Sequence, residues 1–179
     1  TPRALAQIRV VYEDGTEETI VTDGTWKLSA GPIVLDGIRI GEIYDARLEK
    51  PGWSTAGYDD SSWGKVNVLE TRLGALAAQM QPPIRVMETR RPVKLTEPRP
   101  GVFLFEVGAG LSGWARIRVK GPAGTKIRMR YGERLHKDGT LDQHHLWTYV
   151  VQGPFQTDTY ILKGDGVEEW EPRFAFHGF

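Results

Sequence analysis

The chain has no cysteine, which excludes disulfides, thiolate metal sites and cysteine nucleophiles together. It leaves the compartment undecided, because a cysteine-free chain serves in oxidising and reducing surroundings alike. There is no excess of one charge either: 23 Lys and Arg stand against 23 Asp and Glu, for a formal net charge of zero. That balance argues against nucleic acid or an acidic membrane as the main partner. No run of 18 apolar residues occurs, so no spanning helix is expected. The opening Thr1-Pro2-Arg3-Ala4-Leu5 has no secretory pattern, and cytoplasmic, periplasmic and extracellular locations all stay open. An HExxH motif is missing. His144 and His145 are adjacent and would face opposite sides of a strand, with His136 and His177 remote, so no zinc site is expected.

What the chain does have is turns and rings. Gly and Pro number 21 and 11 among 179 residues, spread as punctuation, and Trp, Tyr and Phe number six each. Frequent turns with many aromatics point to an all-β protein. Ile8, Val10 and Tyr12 share one side of a strand with Gln7, Arg9 and Val11 on the other, Asp14-Gly15 turns, and Glu18 to Val21 returns. With Asp23-Gly24 and Thr25 to Leu28, this reads as a β-meander. Ile38 to Tyr44 and Lys65 to Leu69 are further strands, and Asp59 or Asp60 caps a turn ending near Trp63.

Leu73, Leu76, Ala77 and Met80 suit either a short helix ended by Pro82-Pro83 or an extended linker. The domain border is placed there, giving domains 1–80 and 81–179. Beyond it Val102 to Val107 is an apolar run. Ala115, Ile117 and Val119 alternate with Arg116, Arg118 and Lys120; after Gly121-Pro122-Ala123-Gly124, Ile127, Met129 and Tyr131 alternate with Lys126, Arg128 and Arg130. This predicts a hairpin with one apolar and one cationic face. The cationic row is read as a solvated face rather than a nucleic-acid groove, since Glu106, Glu133 and Asp142 lie near it in sequence. Thr157 to Lys163 and Trp170 to Phe176 complete the strands. The expected fold is two antiparallel β-sandwich, jelly-roll-like units.

Three carboxylate pairs could in principle serve glycoside hydrolysis: Glu42 with Asp45, Asp59 with Asp60, and Glu133 with Asp142. One member would need burial against an apolar wall to hold a proton near neutrality. The turn Tyr58 to Trp63 lacks EF-hand spacing and is read as a capped turn between two rings. Trp26, Trp114 and Trp170 sit within strand patterns and are assigned to the core. Trp53 and Trp147 lie in irregular segments, where an aromatic face could stack on a sugar ring. The residues by themselves lead to a two-unit β protein with carbohydrate binding as one outcome.

The stretch Gly41-Glu42-Ile43-Tyr44-Asp45-Ala46-Arg47-Leu48-Glu49, then Gly52-Trp53 and Asp59-Asp60-Ser61-Ser62-Trp63, resembles bacterial α-L-rhamnosidases. The resemblance runs on through Pro82-Pro83-Ile84-Arg85-Val86, Gly113-Trp114, Gly121 to Thr125, Tyr131 to Leu135 and Asp138 to Leu141. It closes at Asp158 to Gly164 and Pro172 to Phe179. It implies an accessory β-sandwich region of an inverting glycosidase that releases terminal L-rhamnose, the first sandwich incomplete and the second concanavalin-like. The catalytic acids would lie in an (α/α)-barrel outside this chain, so no catalytic residue is assigned here. The implied partners are L-rhamnose-containing glycosides and that barrel in the same polypeptide. Some members bind L-rhamnose through calcium; Glu42 and Asp45 are the best positions for the ion and, with Trp53 and Trp147, for the sugar. An ion-pair cluster of Glu42, Asp45 and Arg47 that stabilises the bend is the alternative. Where relatives have Asp-Phe-Gly-Gln-Asn, this chain has Glu106 to Gly110, so amide contacts from that stretch are not carried over. A stand-alone lectin-like module and a ligand-free spacer are the rival readings.

Overall fold

A computed structural model describes residues 3–70, 77–108, 110–149 and 154–179, with residues 147–149 described by their backbone only. Among the described residues the regular structure is all β, apart from two 3₁₀ turns, Ala46–Leu48 and His144–Tyr149. The chain forms two compact units. One contains residues 1–30 and 50–82, the other residues 31–49 and 83–179. The expected helix or linker around Leu73 and Leu76 lies outside the described residues.

In the first unit, Gln7–Val11 pairs antiparallel with Glu17–Val21, as the alternation and the Asp14-Gly15 turn predict. Gly15 takes φ of +83°, a conformation open to glycine at little cost. Asp14 Oδ1 accepts from the Thr16 amide at 2.9 Å and its hydroxyl at 2.7 Å, closing the turn. The meander does not continue: Lys27–Leu28 pairs instead with Gly64–Lys65. The strand expected over 65–69 shrinks to that short bridge. Neither ribbon has a buried side, and Trp26, expected in the core, is exposed, its indole N–H donating to the Val21 carbonyl at 3.1 Å.

The second unit is built around a four-stranded sheet in the order Lys126–Arg130, Thr157–Ile161, Gly41–Asp45, Ile33–Gly37. Where sequence suggested one strand over 38–44, the chain turns after Gly37, and two strands pair antiparallel with a register shift near Ile33. Gly41–Asp45 runs parallel to Thr157–Ile161, with Tyr44 opposite Tyr160. These central strands are buried or half-buried at every position, as expected where both sheet faces are covered.

The hairpin predicted over 115–131 is also overturned. Ile117–Lys120 pairs with Val167–Trp170, whereas Lys126–Arg130 pairs with Thr157–Ile161. The alternation correctly gave each strand its faces, since Ile117, Val119, Ile127 and Met129 all pack on one cluster of Ala46, Tyr160, Leu162 and Trp170. It carried no information on which strand lies alongside. The Gly121–Gly124 segment joins strands of two different sheets, and Thr125 and Gly124 are tied by backbone hydrogen bonds to Leu162. Tyr160 stacks on Trp170 with centroids 5.3 Å apart, and Tyr44 on Tyr160 at 5.8 Å.

Candidate functional site

The densest polar constellation lies inside the second unit. Alternation along Gly41–Asp45 sends Glu42 and Tyr44 to one face and Ile43 and Asp45 to the other. Beside Glu42, on the parallel neighbour, stands Asp158. Both are fully buried, as is His177 on the short strand His177–Gly178, and Tyr131 is nearly so.

Asp158 accepts from three sources. The Glu42 amide donates to Oδ1 at 2.9 Å, the Tyr131 hydroxyl to Oδ2 at 2.9 Å, and His177 Nε2 lies 3.0 Å from both oxygens. An ionised carboxylate only accepts, so Nε2 carries a proton in this contact. The Tyr131 ring stacks on the His177 ring at 4.1 Å and 17°, and its hydroxyl also accepts from the Ala115 amide at 3.1 Å. Burial first, then the Asp158 charge, pushes the Tyr131 phenol far above its ordinary range. Glu42 Oε2 accepts from the Arg173 and Phe174 amides at 3.0 and 3.2 Å, while Oε1 has no partner. Burial raises the Glu42 carboxyl, against the lowering effect of those two amides. Close approach of the strands here requires Gly41: at φ +111°, a Cβ would lie 2.3 Å from the Thr157 carbonyl oxygen.

A second buried acid, Glu168, accepts from the Tyr160 hydroxyl at 2.8 Å and from the Lys163 and Gly164 amides at 3.0 and 2.9 Å. Burial opposes its charge, but the Gly164 and Lys163 amides, the Tyr160 hydroxyl and the Lys163 charge together hold the carboxyl below its ordinary range. Next to it Tyr44 donates to Glu49, which pairs with Lys163 at 2.8 Å; burial and that bond push the Tyr44 phenol up to about 12.

Asp, His and Tyr together have the composition of a proton-transfer site, but a general acid or base must reach its substrate. Here the carboxylates are buried and take their hydrogen bonds from protein donors, so the constellation binds strands to one another. Two shallow depressions open on this unit's surface. One, of about 280 Å³, is lined by Glu49, Tyr160, Lys163 and Glu168 among others; the other, of about 270 Å³, includes Lys94, Thr96, Pro98, Leu104 and Leu135. Both fall at or below the small end of ligand pockets, roughly 300 Å³.

The sequence candidates separate. Asp45 turns away from Glu42 and pairs with Arg47 through both oxygens, at 2.9 and 2.7 Å, with the Arg47 side chain holding its carboxyl low. Of the cluster of Glu42, Asp45 and Arg47 that sequence offered as an alternative, the Asp45–Arg47 pair is formed and Glu42 stands apart from it. As placed, Glu42 and Asp45 do not make a calcium cage, which wants six to eight oxygens converging. Among the described residues no group of three or more His, Asp or Glu could hold a metal ion. Trp53 belongs to the first unit and is 61% exposed. Trp147 lies in the turn His144–Tyr149, and its side chain falls outside the description. Asp59 accepts from the Ser61 amide, Asp60 pairs with Lys27 at 2.6 Å, and Tyr58 meets Trp63 edge-on; this is a capped turn. Asp142 accepts from the His144 amide.

Comparison with known proteins fits this architecture. Residues 1–88 match the model of the α-L-rhamnosidase N-terminal domain, and residues 96–179 match that of the bacterial α-L-rhamnosidase concanavalin-like domain. The chain belongs to the α-L-rhamnosidase family. It is 42% identical to an α-L-rhamnosidase of Streptomyces avermitilis over 99% of its length, and 34% identical to one of Formosa agariphila. These relatives are far longer, the chain spanning 17% and 19% of them, within their N-terminal region. Among solved structures, the Streptomyces avermitilis α-L-rhamnosidase complexed with L-rhamnose superposes with a TM-score of 0.89 at 43% identity, over 98% of this chain and 17% of that one. The α-L-rhamnosidase from Dictyoglumus thermophilum superposes with a TM-score of 0.88 at 40% identity, over 98% and 19%.

Sequence reasoning missed the roles of Asp158, Tyr131 and His177, although all three stand in the stretches that carry the family resemblance. The available signal was local. Asp158 is a charge within the strand Thr157–Ile161, and His177 sits among Phe174, Phe176 and Phe179.

Proposed function

We propose that this chain is the accessory β region of an α-L-rhamnosidase, a glycoside hydrolase that removes terminal L-rhamnose with inversion, and that it performs no hydrolysis itself. The observation that carries this reading is the 42% identity to an α-L-rhamnosidase across 99% of the chain. The site geometry agrees. A glycosidase needs two carboxyls facing a common cleft, about 5–10 Å apart. Glu42, Asp158 and Glu168 are instead buried and committed to internal donors. The region's work is to position the catalytic barrel of the same polypeptide. An aryl α-L-rhamnoside assay tests this: the intact enzyme releases L-rhamnose, and residues 1–179 alone release none. Hydrolysis by this chain alone would overturn it.

A second reading, a sugar-binding module, is favoured by Trp53, whose large ring is exposed in a turn. Calorimetric titration with L-rhamnose, with calcium and then chelator, separates the two. A scaffold gives no saturable heat at millimolar sugar. Saturation abolished by Trp53→Ala would establish the module, and an effect of chelator would restore calcium to it.

A further inference from the structure

The strand pair Lys94–Arg99 and Val102–Glu106 turns most of its large apolar side chains to one exposed face. Leu95 lies opposite Phe105 and Thr96 opposite Leu104. Alternation then places Phe103 with Phe105 and Leu95 on one face, and Val93 extends that face through its amide bond to the Glu106 carbonyl. On the other face, Thr96, Leu104 and Glu106 are half-buried. On the first face Val93, Leu95, Phe103 and Phe105 are 77%, 58%, 57% and 56% exposed. Compare Ile117–Lys120, where the outward positions are Arg118 and Lys120. An exposed patch of roughly several hundred Å², built of four large apolar side chains, marks an interaction surface rather than ordinary scatter.

Its surroundings define the partner. The four side chains carry no polar atom, so they cannot satisfy the hydroxyls of a sugar. The charges that alternation places beside them are engaged: Glu97 accepts from the Gly101 amide at 2.8 Å and Arg99 pairs with Asp138 at 3.8 Å. Little charge is left to attract an ionic ligand. The occupant must be an apolar protein surface. Resting on the function proposed above, we propose that it is a further part of the same α-L-rhamnosidase polypeptide. The curated relatives devote more than four-fifths of their length to sequence outside this region, and a tethered domain meets the face at high effective concentration. Contacts between domains of one chain typically bury about 600–1,500 Å², for which this patch would form the apolar centre.

Cysteine labelling in the intact enzyme tests the assignment, since this region has no native cysteine. Phe105→Cys and Leu95→Cys are each compared with Lys120→Cys, on an exposed strand of the same unit, using a maleimide and peptide mapping. The expected result is labelling at least tenfold slower at 105 and 95 than at 120, unchanged on dilution of the enzyme. Labelling of both at the rate of position 120 would show a free face and overturn the proposal. Protection that disappears on dilution would assign the face to a second copy and overturn it equally. Fast labelling in an enzyme that still cleaves an aryl α-L-rhamnoside defeats only this inference. An intact protein without that activity defeats the functional reading instead.

Discussion

Every buried residue among those described belongs to the unit of residues 31–49 and 83–179, whereas the ribbons of residues 1–30 and 50–82 are exposed on both sides. Apart from the bridge of Lys27–Leu28 to Gly64–Lys65 and the Lys27–Asp60 pair, the first unit is held by contacts between near neighbours. Arg9 pairs with Glu17, Tyr12 donates to Glu18, and Asp14 and Asp23 each close a turn onto a threonine two residues ahead. Exposed pairs of this kind contribute little each, about 0–1 kcal/mol, and a lone two-stranded ribbon is marginal in water. The second unit is held by contacts that skip much of the chain, such as Glu42 to Asp158 and Glu42 to Arg173, in places closed to water. The difference teaches where sensitivity to mutation should lie: a buried acceptor shared by three donors has no substitute, while a turn carboxylate competes with solvent.

Removing the shared acceptor should have the largest effect. Asp158→Ala strands the Glu42 amide, the Tyr131 hydroxyl and His177 at once, and should cost about 3–5 kcal/mol. Urea unfolding reads this directly. Asp14→Ala in the first unit, exposed to competing water, should cost only a small fraction of that; equal losses would erase the contrast between the units.

Next come the glycines. Gly41→Ala brings a Cβ to 2.3 Å from the Thr157 carbonyl, whereas at Gly15 nothing lies within 4 Å although φ is similarly positive. The first should cost roughly 2–4 kcal/mol and the second about 1, as shifts of the thermal midpoint.

The pH dependence distinguishes the two buried acids. The Glu42 carboxyl is raised by burial, so its contribution is complete below its unfolded value and is lost as pH rises through the folded one. Glu168 is lowered, its hydrogen bonds and the Lys163 charge together outweighing burial, so its contribution is present above its unfolded value and is lost as pH falls through the folded one. Glu42→Gln should therefore flatten a decline in stability on raising pH above the ordinary glutamate range of about 4.3. Glu168→Gln should flatten the loss on the acid side. Denaturation curves across that span would show the two variants moving the profile at opposite ends; movement at the same end would reverse the assignment. The smallest change is expected at Trp53, exposed in the first unit: Trp53→Ala should alter stability by less than about 0.5 kcal/mol, seen in the same unfolding assay.

Much of this was legible in the residues. Alternation at Ile117–Lys120 and Lys126–Arg130 gave the faces correctly, because side-chain direction in a strand is a local property of period two. Asp14-Gly15 announced its turn, since the requirement for φ above zero and a closing carboxylate is met within three residues. The family was readable because Gly41 to Glu49 and the later stretches preserve identity in order across the chain. Glu42 was singled out, but not with its partners, because these are two amides more than 130 positions away.

What the sequence by itself determined is the β class, the strand faces, the turn chemistry and the family, all written in short windows or in ordered motifs. Only the tertiary structure decided that strands 117–120 and 126–130 part company, that Gly41–Asp45 lies parallel to Thr157–Ile161, and that Asp158 gathers Glu42, Tyr131 and His177. Pairing partners and the exclusion of water are properties of the whole packed chain, and any local pattern of alternation is compatible with several neighbours.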